Sequence, residues 1–154
     1  MNLQLTKRGD YAVRAALHLA RRWNEGGYAK TREVAAAMDL PRSYTPQVLG
    51  LLVRAGLAEA RAGRDGGFRL TRSPERISLL EVVEAAEGSL APEVCTLRGG
   101  PCRWEDHCAV HPAWSRASDA LRASLSKASL AEVAETDRQL QGTAGVRTSR
   151  PGSG

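Results

Sequence analysis

The chain has 154 residues, 42% apolar, 25% charged and 5% aromatic, with a formal charge of +5. That is enough apolar content for a packed core, while the scarcity of aromatics favours helices over a sandwich of sheets. No apolar run approaches the ~18 residues that a membrane-spanning helix needs, and the N-terminus lacks the basic start and unbroken apolar stretch of a signal peptide. A cytoplasmic protein without a membrane partner is therefore expected.

The charge is uneven. Residues 1–72 hold 13 Lys/Arg against 6 Asp/Glu, and residues 73–154 hold 9 against 11. The first half thus suits a polyanion such as DNA, although a solvated basic face would carry the same charge.

Apolar residues at helical spacing predict a first helix from about Thr6 to Trp23, stopped by Asn24-Glu25-Gly26-Gly27. A second follows over Thr31–Met38, with Thr31 as N-cap and Glu33 in its first turn. A third is expected from about Ser43 to Ala55. Ser43 is its predicted cap, and Pro46 is confined to the first turn, where its missing N–H costs nothing. Leu57–Arg61 and Gly67–Thr71 flank a Gly-rich turn and read as a β-hairpin. Three helices followed by a basic hairpin is the order of a winged helix-turn-helix.

Beyond it, Ser78–Glu81 is a capping box opening a helix to about Glu87, and Gly88 closes it. Pro112 opens a long helix to about Lys127, and Ser129–Glu132 is a second capping box before a short last helix. The expected organisation is a winged helix-turn-helix over 1–72, a connecting helix over 73–88 and a cysteine loop over 89–111. The long and short final helices take 112–140, and a disordered tail takes 141–154. The fold class is mainly α with a small β-hairpin.

A recognition helix offers its first turns to base edges in the major groove. Here those residues are Arg42, Ser43, Tyr44, Thr45 and Gln47. Arg can pair with guanine and Gln with adenine, while Ser43 and Tyr44 can reach phosphates. The hairpin adds Arg61, Arg64 and Arg69 beside flexible glycines. A helix-turn-helix can also serve as a protein-interaction module, and the basic wing favours DNA over that reading.

All three cysteines fall in one segment: Cys95, Cys102 and Cys108, separated by six and five residues, with His111 shortly after. Soft thiolates with an imidazole suit an iron–sulfur cluster or a structural zinc. Zinc usually takes closer Cys pairs than these. A metal-free thiol switch is the third reading. A Cys near a His can also be a nucleophile. No orienting group, phosphate loop or paired-carboxylate motif accompanies it, so no enzyme is expected.

Three stretches together resemble the IscR/NsrR-type family of winged-helix iron–sulfur transcription regulators: Leu5–Ala12, Gly63–Leu70 in the wing, and the Cys95/Cys102/Cys108 loop. The resemblance covers about residues 3–137. It implies a homodimer built on the helix from Pro112, binding promoter DNA, probing iron–sulfur status, redox state or nitric oxide, and acting as a repressor. It also implies a cluster held by Cys95, Cys102 and Cys108. In one branch the fourth ligand is a His that matches His111, with a 2Fe–2S cluster. In the other it is an Asp of the opposite subunit that matches Asp10, with a 4Fe–4S cluster. The His111 set is preferred on proximity, with His107 set aside. The family's target sequence does not carry over, because Pro46 stands where IscR has an acidic residue important to DNA choice.

Overall fold

The structure, a computed structural model, describes residues 3–90, 95, 97, 100 and 107–147, with backbone alone at 145–147. Thr6 starts the first helix, its hydroxyl oxygen accepting the Gly9 N–H at 3.2 Å. One of the donors that a helix start leaves unpaired is thereby satisfied. Helix α1 (Lys7–Arg21) buries Ala12, Ala15, Ala16 and Leu19, and the small side chains let neighbouring helices approach closely. A single 3-10 turn, Trp23–Glu25, and the left-handed Gly26 end this helical stretch at the expected place.

Helix α2 (Thr31–Met38) has the expected bounds, but its cap differs. Lys30 is the N-cap, with no side-chain bond, and Thr31 is the first helical residue. The reason is long-range: Ala29 and Phe68 exchange reciprocal backbone hydrogen bonds of 2.8 and 2.9 Å, which keep the chain extended up to Lys30. Asp39 takes a left-handed conformation, φ 52°, and the Leu40 N–H returns to the Ala35 carbonyl. Asp tolerates that region better than most residues.

Helix α3 (Thr45–Arg54) keeps Pro46 in its first turn, as expected, but Tyr44 rather than Ser43 is the N-cap. The Pro41 carbonyl accepts the N–H groups of both Tyr44 and Thr45, so residues 41–44 are spent on the turn. Val48, Leu49 and Leu52 are fully buried, each contributing roughly 1.5–3 kcal/mol of burial free energy.

Strands β1 (Ala58–Arg61) and β2 (Gly67–Leu70) form the antiparallel wing, with Glu59 opposite Arg69 and Arg61 opposite Gly67. Gly67, at φ 144°, lies so close to the Ala29 carbonyl that a Cβ would meet its oxygen at 2.3 Å. Helix α4 (Leu79–Glu87) carries the complete capping box of Ser78 and Glu81. Helix α5 (His111–Lys127) starts one residue before Pro112, and helix α6 (Leu130–Arg147) opens on the Ser129–Glu132 box.

Two expectations fail at this end. The last helix has 18 residues and is not short, and it runs through residues 141–147, which composition predicts to be disordered. Leu130 and Ala134 anchor it in the core, and Asp137 pairs with Arg21 of α1. Once nucleated, each further turn adds at little cost even with a polar sequence. Residues 148–154 lie outside the described residues.

The core is one cluster. It joins α1, α2, α3 and the wing to Ile77, Val82 and Ala86 around α4, and to Leu130 and Ala134 of α6. The expected boundary at residue 72 therefore marks no break in packing. Helix α5, by contrast, buries none of its residues.

Candidate nucleic-acid interface

The start of α3 presents Arg42, Ser43 and Gln47 to solvent, with Tyr44 half-buried. Tyr44 packs edge-on against Tyr11 of α1, ring centres 5.9 Å apart. Thr45 does not join them. It is 0% exposed, and its hydroxyl donates to the Pro41 carbonyl at 2.8 Å. Its side chain closes the turn and cannot reach a base edge. A cation not anticipated from the sequence, Arg32 in the first turn of α2, is exposed and lines an open groove with Arg42, Ala36 and Leu40. Its signal was its place one helix before α3.

In the wing, Arg61 and Arg64 are exposed. Arg69 is exposed too, but its guanidinium is engaged within the wing region. Its Nε donates to Glu59 Oε1 at 2.5 Å, and its guanidinium lies 4.7 Å from the Tyr28 ring centre. The Arg69 bond, then one from the Tyr28 hydroxyl, hold the Glu59 carboxyl below its ordinary value.

Helices α1 and α2 are joined by a polar knot. His18 is buried, its Nε2 3.1 Å from Glu33 Oε1, and Arg22 pairs with the same oxygen. Burial pushes the Glu33 carboxyl up, but the bonds from His18 and Arg22 outweigh it and hold the group below 4.5.

The cysteine segment is described only in part. Cys95 and Cys108 are half-buried, as is His111 at the first position of α5, while Cys102 lies outside the described residues. The exposed His107 lies in the turn just before Cys108. Among the described residues no three metal-ligating side chains are gathered at one point. Asp10 is tied to Arg14 of its own helix at 2.9 Å, and Arg14 also reaches the Met38 carbonyl at the end of α2.

One connection was not foreseen. Glu87, the last residue of α4, accepts the Thr6 N–H at 2.9 Å and the Thr6 hydroxyl at 2.6 Å. Gly9 leaves the room, since a Cβ there would meet the Glu87 carboxylate at 2.1 Å. The root of the cysteine segment is thus fastened to the start of α1. No local pattern signals a bond across 81 positions.

The chain matches residue 5 to residue 136 of its length to a family model described as Rrf2, iron-dependent transcriptional regulator. It is 30% identical over 138 residues to the HTH-type transcriptional regulator IscR of Escherichia coli O1:K1, covering 90% of this chain and 84% of that one. The solved structure of T. potens IscR superposes with a TM-score of 0.71 at 23% identity, over 92% of this chain and 93% of that one. The oxidized form of Staphylococcus aureus CymR gives 0.65 at 25% identity, over 86% and 97%. These relatives are transcription regulators and not enzymes, and the described residues contain no helix long and apolar enough to cross a membrane.

Proposed function

The chain belongs to the Rrf2 family of transcriptional regulators, and on that footing we propose that it is a homodimeric repressor whose hold on promoter DNA is set by its cysteine loop. DNA binding is what the family does. The observation that carries the reading here is the joint exposure of Arg42 and Ser43 in the turn that leads into α3, Gln47 in its first turn, and Arg61 and Arg64 on the wing. As the protein acts on promoters, it works in the cytoplasm.

A dimer is supported by α5, none of whose residues is fully buried within its own chain. Leu121 on it is 47% exposed, at the mouth of an apolar groove shared with Leu5, Val83, Leu90, Leu125 and Val133. A second copy would cover that face.

The donor set fits an iron–sulfur cluster: three thiols and an imidazole in one segment, with Cys95, Cys108 and His111 half-buried. Cys95, Cys102, Cys108 and His111 would hold a 2Fe–2S cluster. Asp10 of the partner subunit is the alternative fourth ligand, with a 4Fe–4S cluster. His111 is favoured because it lies three residues beyond Cys108 in the same segment. When bound, the cluster supplies a centre that oxidants, iron shortage or nitric oxide alter.

The chain's own residues carry the change onward. The loop leaves α4 at Glu87, which holds the N-terminus of α1 through Thr6. Helix α1 meets the reading head through Arg14 at the Met38 carbonyl and through Tyr11 at Tyr44. A shift at the loop root therefore alters the spacing of two reading heads, and a dimer binds well only when both match their half-sites.

Anaerobic purification with absorption spectra and iron, sulfide and zinc analysis tests the reading. Iron and sulfide in a brown protein support it, and loss of the colour in His111→Ala but not Asp10→Ala assigns the fourth ligand. A colourless protein holding zinc overturns it. The second reading is a metal-free thiol switch. It is favoured by the likeness to a CymR solved in an oxidized form, and metal-free protein whose DNA affinity follows oxidant would establish it.

A further inference from the structure

Three consecutive residues ahead of α2 touch the wing at three separate places. Tyr28 lies under two of its arginines, with Arg69 4.7 Å and Arg61 5.8 Å from the ring centre. Its hydroxyl donates to Glu59 at 3.1 Å, and Glu59 also accepts from Arg69 across the strand pair. Ala29 is bonded to Phe68 in both directions, which adds a short third edge to the two-stranded wing. Lys30 donates from Nζ to the Gly63 carbonyl, 3.0 Å away, at the residue before Arg64.

We propose that Tyr28 is a positioning residue for DNA binding, which together with Lys30 holds the wing at a set angle so that Arg61 and Arg64 meet DNA already oriented. The proposal rests on the reading that the wing contacts DNA. It also reassigns Arg69. Its guanidinium is both stacked on Tyr28 and paired with Glu59, so it acts as a strut within the wing, and the contacts fall to Arg64 and to Arg61, which lies farther from the ring and has no such carboxylate partner among the described bonds. An isolated two-stranded hairpin is only marginally ordered in water. Without the clamp, the wing arginines would lose their freedom only on reaching the DNA, and that ordering would be subtracted from the affinity. Arg suits the clamp because its flat fork stacks on an aromatic face while donating in its own plane.

The test uses the full-length protein and a labelled, mixed-sequence DNA duplex, with affinity measured by fluorescence anisotropy between about 50 and 200 mM salt. Tyr28→Leu should bind roughly five- to tenfold more weakly. The slope of log affinity against log salt should stay as in the parent, because no phosphate contact is removed. Tyr28→Phe, which keeps the ring, should recover most of the loss. Amide hydrogen exchange over residues 61–67 should speed up in Tyr28→Leu while that of α1 and α4 stays unchanged, which shows a fold otherwise intact. Arg64→Ala should reduce the slope by about one.

Parent-like affinity in Tyr28→Leu, or unchanged exchange in the wing, overturns the proposal. So does a loss in Tyr28→Phe equal to that in Tyr28→Leu, which would make the hydroxyl itself the contact. If Arg64→Ala also leaves the slope unchanged, the wing does not meet the phosphates, and the DNA reading of the wing falls with the proposal. A normal Arg64 effect beside a silent Tyr28→Leu sinks the clamp alone.

Discussion

Leu130→Ala measures whether the reading head and the C-terminal helix form one folding unit. Leu130 is 0% exposed at the first position of α6 and belongs to the same cluster as Val48, Leu52 and Val82. The substitution leaves its backbone bond to the Ile77 carbonyl intact and removes only side-chain volume. A fully buried Leu→Ala costs about 2–5 kcal/mol, depending on how far the cavity collapses. The site lies where the extended Ile77–Ser78 segment, held by backbone bonds on both sides of Ser129, limits that collapse. We therefore expect about 3 kcal/mol, which lowers the melting temperature of a chain this size by roughly 6–12 °C. Circular dichroism at a fixed protomer concentration reads the shift, the concentration being held because the proposed dimer would feed into apparent stability. One transition, displaced as a whole, is the expected trace. A loss below about 1 kcal/mol would refute the burial argument. A second, undisplaced transition that retains DNA binding would refute the single unit.

Three further outcomes follow from the same structure. Thr45→Val should lose about 1 kcal/mol of stability through the Pro41 bond and leave DNA preference unchanged, as anisotropy on several duplexes would show; altered base preference would put Thr45 back at the interface. Leu121→Asp should leave a monomer in light scattering, since a charge would enter the face left uncovered by α5, and a persistent dimer would place the interface elsewhere. Glu33 sits below 4.5 when folded, so the stability it adds is complete above that value and disappears as pH falls through its lower folded value. Glu33→Gln should cost about 1 kcal/mol at neutral pH, an amount discounted for a carboxylate one-third exposed. The variant should also show a shallower acid-unfolding limb; parallel limbs in urea titrations from neutral to acid pH would contradict the bonds from His18 and Arg22.

Local rules were enough for the elements whose signals are local. The two capping boxes, the glycine stops and the place of Pro46 all lie within a few residues of the structure they specify. What could not be read was decided at a distance. Thr45 looks like part of a polar reading surface, yet the Pro41 carbonyl turns it inward. Thr31 looks like a cap, yet pairing of Ala29 with Phe68 shifts that position to Lys30. Arg69 counts as wing charge until the strand register places it opposite Glu59, and Tyr28 carries no motif at all. Composition also misled at residues 141–147, where a polar stretch continues a helix that is anchored upstream. Of the thiols, Cys102 lies outside the described residues, and the ligand set stands on the sequence pattern.

The return of α6 to the N-terminal core bears on how this protein is made. Leu130, buried against the head, is synthesised after the whole cysteine segment. At about 5–20 residues per second, it follows Arg72 at the end of the wing by roughly 3–12 s. During that interval the reading helix already exists as nascent chain, but its core still lacks a side chain that fills it. The head is completed only once all three thiols are present, so a chain cut short between the wing and α6 would be handed to proteases as an unfinished core and would not persist as a head without its cysteine segment.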